Sequence, residues 1–258
     1  MEQFLTGAPT VAHFNASAAA TMGGVPEFLA LGSAYVLPSP DVIETLMDSD
    51  LYADWTERLA ENDFIVLSGN WLNGSRQIIS TDPEGHAEPE DLEGITIRIP
   101  AGQQFATFFE ATPAQPVNLD PSETYTGMEQ GTVDAAEGPL SQMVDWSLNE
   151  LGKSVTMTNH MIELTGFAMG AETWSRISAE DQEIVREEFA QGGRDYTERG
   201  LASADELRAQ MEAEGIQFFE ADTDAYRELA QDAIENSAAA ADWPADIIDQ
   251  LRQAMGLD

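Results

Sequence analysis

Residues 94–110 read GITIRIPAGQQFATFFE, and the hydrophobic period changes in the middle of this stretch. Isoleucine stands at positions 95, 97 and 99, alternating with Thr96 and Arg98, which predicts a strand that buries one face. Pro100 ends the strand, and phenylalanines follow at helical spacing at positions 105, 108 and 109. The segment QPVNL, residues 115–119, predicts a second strand. A strand, a helix and a strand in succession are typical of an α/β fold.

The rest of the chain repeats this alternation with short turns. Residues 10–14 predict a short strand, and DFIVLSGNW at 63–71 predicts a buried strand that ends near Asn70. Ser178 and Asp181 form a capping-box-like start, after which no proline occurs before Glu214. This pattern predicts one unusually long helix, although the glycines within it lower its intrinsic stability.

The composition limits the classes of partner. The chain of 258 residues has 11 Lys and Arg against 47 Asp and Glu, a net charge of -36, and the acids are spread from end to end. Nucleic acid is not an expected partner, because phosphate binding needs a basic surface. The absence of cysteine excludes disulfides and thiolate chemistry. No apolar run has the length of a membrane span. Met1 leads directly into sequence that is typical of a domain interior, so we expect that an N-terminal part is missing.

No catalytic motif stands out. With 47 carboxylates, a catalytic acid pair cannot be identified from spacing. The three histidines, His13, His86 and His160, are far apart in the sequence, and no glycine-rich phosphate-binding fingerprint follows a predicted strand. We expect His160 to be a hydrogen-bonded residue rather than a metal ligand. The sequence predicts no catalytic residue, no metal and no cofactor.

The segment DLEGITIRIPAGQQFATFFEATPAQPVNLDPSETYTGMEQGTVDAAEGPL, residues 91–140, resembles the DctP-type substrate-binding proteins of TRAP transporters. In that family a DLKGxKIRVP strand is followed by a helix, a GAxPxPM strand, an SExYxALQxGxVDGxENPL helix and strand, and later LTNH. This chain retains TNH at 158–160 and WSRISAEDQEIV at 174–185, in the same order. The resemblance extends from about Gly7 to the C-terminus.

This resemblance implies an α/β, two-lobed periplasmic-binding-protein-like fold with a long helix spanning both lobes. We expect residues 1–73 with 164–203 to form lobe I, incomplete at its N-terminus, and 74–163 with 204–258 to form lobe II. The implied function is that of a periplasmic, non-enzymatic receptor, monomeric and not membrane-spanning. It would capture a small organic acid and deliver the carboxylate to the membrane subunits of a TRAP permease.

The resemblance also implies ligand-binding positions. Arg98 matches the family's substrate-carboxylate arginine, and Arg76 matches a second arginine that either contacts the ligand or supports Arg98. A guanidinium can hold a carboxylate through two hydrogen bonds, which lysine cannot do, so the residue type fits this role. Trp71 is a candidate apolar wall, and Asn15 is a candidate polar contact or a turn cap. Gly138 stands where the family often has an asparagine in ENPL, which removes one polar contact and opens space.

Other functional classes are compatible with the residues. A hydrolase that uses acidic residues would need an acid and a base that the sequence does not identify. A ligand-sensing module would need an attached signalling domain. A truncated remnant that no longer binds a ligand is the third alternative.

The acidic surface generates a prediction about salt. Because repulsion between carboxylates is screened at high ionic strength, the melting temperature should rise as KCl increases from dilute to molar concentrations. Differential scanning calorimetry across a KCl series measures this directly. The acidic composition predicts a halophilic, salt-adapted surface, and a melting temperature that stays flat or falls with added KCl would contradict this prediction.

Overall fold

The computed structural model describes residues 10–257. Its strands are β1 (Val11–Asn15), β2 (Phe64–Ser80), β3 (Thr96–Ile99), β4 (Gln115–Asn118), β5 (Ala135–Gly138), β6 (Ser154–Gly170) and β7 (Gln217–Glu220). The helices before β3 are α1 (Ala16–Met22), α2 (Phe28–Leu31), α3 (Ile43–Met47) and α4 (Asp50–Glu61). The later helices are α5 (Gln103–Ala111), α6 (Pro121–Glu129), α7 (Leu140–Asp145), α8 (Ala171–Trp174), α9 (Ala179–Ala213), α10 (Thr223–Glu235) and α11 (Ile247–Ala254).

The strands of the described chain form one mixed sheet. The strand order is β1-β6-β2-β5-β3-β4, and β7 pairs with β6 outside this path. The strand β3 pairs in parallel with both β4 and β5, whereas β2 pairs antiparallel with β5 and β6. The β3-α5-β4 unit confirms the strand, helix and strand predicted from residues 94–119.

The strand β2 is longer than predicted. The expectation that it ends near Asn70 is wrong, because the strand continues to Ser80 through four irregularities in its pairing with β6. Gly74, with φ of +98°, lies at one of these irregularities, between Leu72 and Ser75. Glycine adopts this backbone conformation without a Cβ penalty, so the strand can bulge and still continue.

The strands β2 and β6 connect separate hydrophobic cores. One core collects side chains from β1, α1 to α4, the first half of β2, the second half of β6, and α11. A second cluster lies around the β3-α5-β4 unit and includes Ile78 of β2. A third cluster lies around α6, α7 and the start of β7, and it includes Ile79 of β2. The two long strands therefore leave one core and enter the others, as crossing strands between lobes do.

The predicted long helix is present as α9, with 35 residues. Ser178 caps it, since its Oγ accepts a hydrogen bond from the backbone N–H of Asp181. The helix contacts β2 where Asn70 donates to the carbonyl of Ala190 at 3.0 Å, and Met211 near its other end is buried in the third cluster. One helix thus touches both parts of the molecule, as predicted.

The predicted lobe boundaries stay a prediction, and residues 1–9 and 258 lie outside the described residues. One packing detail bears on them. Ile247, Leu251 and Met255 pack in the first core, so α11 associates with the elements of lobe I although its residues were expected in lobe II.

Two glycines of α9 provide a matched stability test. A Cβ at Gly193 would lie 2.1 Å from Oδ1 of the buried Asn70, whereas a Cβ at Gly200 meets nothing within 4 Å. Gly200→Ala should stabilise the protein by about 0.5–1 kcal/mol through helix propensity. Gly193→Ala should destabilise it by about 1–3 kcal/mol, because Asn70 must move and lose its hydrogen bonds. Urea unfolding of both variants measures the two values, and equal shifts of the same sign would contradict this packing.

Candidate functional site

Three adjacent strands carry the charged residues of the candidate site. Arg76 is on β2, Glu137 is on β5, and Arg98 is on β3, in the sheet order β2-β5-β3. All three side chains are buried, with 1–2% of their surface exposed. Buried charges are rare unless they are paired or have a function, so this arrangement marks the region as the candidate site.

Arg76 is held entirely by protein carboxylates. Its Nε donates to Glu137 Oε2 at 2.5 Å and its Nη2 donates to Glu137 Oε1 at 2.7 Å, a bidentate pair. Its Nη1 donates to Glu163 Oε2 at 2.8 Å. The guanidinium also lies over the ring of Phe105, with Cζ 4.9 Å from the ring centroid. Each nitrogen of Arg76 thus already donates to a protein carboxylate.

His160 extends this network. Its Nε2 lies 3.2 Å from Glu137 Oε2 and its Nδ1 lies 2.8 Å from Thr158 Oγ1. Since Glu137 is an anion that only accepts, Nε2 carries the proton and donates, and Nδ1 accepts from the Thr158 hydroxyl. The ring stacks on Phe108 at 5.1 Å with an interplanar angle of 6°. His160 is hydrogen-bonded, as expected. It lies within β6 and not at the beginning of the strand.

Burial and charge act in opposite directions on these groups. Burial alone raises the pKa of Glu137, but Arg76 and His160 favour its anion and bring the pKa down to about 2. Burial lowers the pKa of His160, and the hydrogen bond to Glu137 offsets this only in part. At neutral pH the cluster therefore contains an ionised Glu137 and a neutral His160.

Arg98 has a different environment. Its Nε donates to the carbonyl of Leu119 at 3.0 Å, and its guanidinium lies over the ring of Trp146 at 5.2 Å. Its Nη2 is buried and has no hydrogen-bond partner. Among residues 10–257, no carboxylate forms an ion pair with Arg98. Burial lowers the pKa of Arg98, while Glu137 and Asp120 act in the opposite direction, and the guanidinium stays charged.

Gly138 lies close to Arg76 and on the sheet face that carries Arg98. Arg98 pairs with Ala136, and Gly138 is two residues further on the same face of β5. A Cβ at Gly138 would lie 3.8 Å from Arg76 Nη2 and only 2.5 Å from Gln142 Oε1. The Gln142 side chain thus occupies the space that the missing side chain leaves.

The remaining predicted site residues lie elsewhere. Trp71 donates from Nε1 to Ser68 Oγ at 2.8 Å and packs against Phe167 and Tyr196, in a groove of about 760 Å³ between β2 and α9. Asn15 caps α1, since its Oδ1 accepts a hydrogen bond from Ala18 N–H at 3.0 Å. The structure brings Arg76, Arg98 and Gly138 together and leaves Trp71 and Asn15 in other contacts.

Sequence reasoning missed Glu137, Glu163, Trp146 and Gln142. The signal for Glu137 was present, because it is an acid in the otherwise apolar strand AAEG at 135–138. An acid in a buried strand requires a cationic partner. Gln142 and Trp146 gave no comparable signal, since they lie on a short helix where polar residues are common. The part of the chain that the structure describes contains no cluster of three His, Asp or Glu suited to a metal.

The chain belongs to the bacterial extracellular solute-binding proteins of family 7, the DctP family, whose model matches residues 1–241. A similar relative is the sialic acid-binding periplasmic protein SiaP of Vibrio cholerae serotype O1, 24% identical over 80% of this chain and 64% of the relative. A solute-binding protein of Roseobacter denitrificans is 27% identical over 79% of this chain and 62% of the relative. The chain thus spans less than two thirds of the length of these relatives.

Solved structures agree with this assignment. A TRAP periplasmic solute binding protein from Roseobacter denitrificans, with bound 3-deoxy-D-manno-oct-2-ulosonic acid, has a TM-score of 0.90 and 26% identity over 98% of this chain and 83% of that one. One from Fusobacterium nucleatum, with bound sn-glycerol-3-phosphate, has a TM-score of 0.89 and 23% identity over 99% and 81%. The predicted two-lobed α/β fold is confirmed. In residues 10–257, no helix is long and apolar enough to cross a membrane.

The ionised state of Glu137 generates a pH prediction. Its pKa of about 2 in the folded state is below the ordinary 4.5, so the unfolded state binds the proton more tightly. The stabilisation is fully present above pH 4.5 and is lost as pH falls from 4.5 towards 2. Glu137→Gln should cost about 3–5 kcal/mol at pH 7, because Arg76 loses its main counterion. Urea unfolding at constant ionic strength should show this difference shrinking below pH 4.5.

The exposed Glu180→Gln provides the matched control for this experiment, since its carboxyl lies on the surface of α9. It should change the free energy of unfolding by less than about 0.5 kcal/mol. A difference between native protein and Glu137→Gln that is constant from pH 7 to pH 3 would show that the network does not lower the pKa of Glu137.

Proposed function

We propose that this chain is the solute-binding component of a TRAP-type transporter, acting in the periplasm or another extracytoplasmic space. It captures a small organic acid and presents it to the membrane subunits of the permease. Membership of the DctP family supports the receptor role. The sialic acid-binding relative and the structure with a bound ulosonic acid support an acid as the ligand.

The observation that carries this proposal is the state of Arg98. It is a buried, charged guanidinium whose Nη2 has no partner, in a chain where cations are scarce. An unsatisfied buried donor costs free energy, and a charged one costs more, so such a group in a native fold calls for an explanation. A ligand carboxylate that accepts from Nη2 provides both the missing hydrogen bond and the missing counterion.

Arg76 has a supporting role in this proposal. Its nitrogens donate to Glu137 and Glu163, so it ties β2 to β5 beside β3, the strand that carries Arg98. Gly138 leaves the space that the Gln142 oxygen occupies. Asn15 and Trp71 remain proposed contacts at the edge of the ligand site, reached when the lobes move.

The hydrolase alternative has less support. A general acid or base needs a pKa near the working pH, and the pKa of Glu137 lies at about 2 with both oxygens engaged. A truncated remnant that has lost binding is a further alternative, and it differs from a receptor only in whether a ligand binds.

Isothermal titration calorimetry with a panel of small acids tests the proposal. The panel contains mono- and dicarboxylates, sugar acids and sn-glycerol-3-phosphate. Arg98→Ala and Arg98→Lys should each weaken binding of the best acid at least tenfold, because the lost charge-assisted pair contributes about 2–5 kcal/mol. Lysine keeps the charge but loses the planar fork, so Arg98→Lys separates geometry from charge.

Arg208→Ala is the matched control, since within residues 10–257 the ion-pair partners of Arg208 are Glu212 near the end of α9 and Glu220 on β7. It should leave the affinity unchanged, and all variants should melt cooperatively. A native protein that binds nothing in the panel would support the remnant. Unchanged affinity in a folded Arg98→Ala variant would place the acid site elsewhere.

A further inference from the structure

A second unpartnered polar atom lies next to the proposed carboxylate site. Gln142 Oε1 is buried and has no hydrogen-bond partner, as Arg98 Nη2 is. One atom is a charged donor and the other is a neutral acceptor. Buried polar groups in native proteins are nearly always hydrogen-bonded, so two such atoms in one region point to a molecule that satisfies both.

The helix α7 brings these atoms into the same region. Gln142 and Trp146 are four residues apart, so they project from the same side of the helical turn. Trp146 covers the Arg98 guanidinium, and Gln142 reaches the space above Gly138. Gly138 in turn shares a face of the sheet with Arg98. The Gln142 carbonyl oxygen therefore lies over Gly138, on the face of the sheet that carries Arg98.

The absence of a side chain at position 138 is necessary for this arrangement. Any Cβ there would lie 2.5 Å from Gln142 Oε1, which is closer than two such atoms can approach. Gly138 has no positive φ and lies in a fully buried strand, so its backbone conformation does not require glycine. The space for the Gln142 oxygen is what the glycine provides.

We propose that Gln142 is a specificity-determining residue whose carbonyl oxygen accepts a hydrogen bond from a hydroxyl group of the bound acid. The ligand class is then a hydroxy acid, with its carboxylate on Arg98 and a nearby hydroxyl on Gln142. This inference rests on the proposed function, because it assumes that Arg98 binds the carboxylate. A site built to bind a hydroxyl discriminates against the analogue without it, since the acceptor is left unpaired.

Titration calorimetry with matched acid pairs tests this inference. Suitable pairs are malate and succinate, lactate and propionate, 2-hydroxyglutarate and glutarate, and gluconate and 2-deoxygluconate. For the pair that binds best, native protein should bind the hydroxylated acid at least about tenfold more tightly than the deoxy acid. Gln142→Met keeps the length of the side chain and removes the acceptor, so it should reduce this ratio to below threefold with little change for the deoxy acid.

Gly138→Ala gives an independent arm. The added methyl group should displace the Gln142 oxygen while both Gln142 and Arg98 remain, so the hydroxyl preference should fall as it does in Gln142→Met. Gln253→Met on the exposed side of α11 is the matched control and should keep the native ratio.

The outcomes separate the two proposals. If native protein binds no acid, the proposed function fails. If it binds acids but shows no hydroxyl preference, or if Gln142→Met retains the native preference, the carboxylate site stands and the role of Gln142 is overturned. Equal loss of both acids in Gln142→Met would likewise overturn it, since that result indicates a structural role for the side chain.

Discussion

The bidentate contact between Arg76 and Glu137 fixes the geometry on which the site depends. It joins β2 to β5, and through His160 it extends to β6. Removing two charges from water costs several kcal/mol per ion, so such a pair adds little net stability, but loss of one partner is costly. The contribution of the pair is therefore positional. It holds three strands together beside β3, the strand that carries Arg98.

Arg76 and Arg98 have different roles because they have different neighbouring residues, although their side chains are chemically identical. Both are buried guanidinium groups over an aromatic ring. Arg76 faces two carboxylates, whereas Arg98 has a backbone carbonyl and a free donor. Because a guanidinium that is already paired gains little from a ligand anion, the unpaired one is the better anion receptor.

Much of the fold could be predicted from the sequence, because the spacing of hydrophobic residues and the helix-capping residues depend on short stretches of the chain. The strand at 94–100, the helix after it, and the long helix from Ser178 were found in this way. The end of β2 was not, since Gly69, Asn70 and Gly74 resemble a turn, and only pairing with β6 carries the strand through them. Arg98 was proposed as a site residue through its motif. Its partners were not, because contacts among β2, β5 and α7 depend on tertiary packing that residue spacing does not contain.

The position of the site also explains how a binding event can affect the whole molecule. The strands β2 and β6 run through the region between the cores, with irregular pairing near Gly74, and Arg76 follows this irregularity by two residues. A ligand that binds one arrangement of the lobes more tightly shifts the population towards it. Because Arg76 on β2 and Arg98 on β3 lie on either side of β5, the proposed ligand on Arg98 would bind two strands away from this irregularity.

The proposed anion receptor carries a net charge of -36, so it must attract its ligand over a short distance. Surface charges are screened beyond about 10 Å at 0.1 M salt, so at higher ionic strength the acidic exterior has little influence on an ion inside the cleft. The local charges then decide the affinity: Arg76 and Arg98 face the carboxylates of Glu137, Glu163 and Asp120, and His160 is neutral. In a nearly neutral cluster, a single unpaired buried guanidinium dominates the nearby field. The acidic surface and the proposed anion site are therefore compatible. The surface carboxylates keep the protein soluble, whereas the ligand is recognised by direct contact with one arginine.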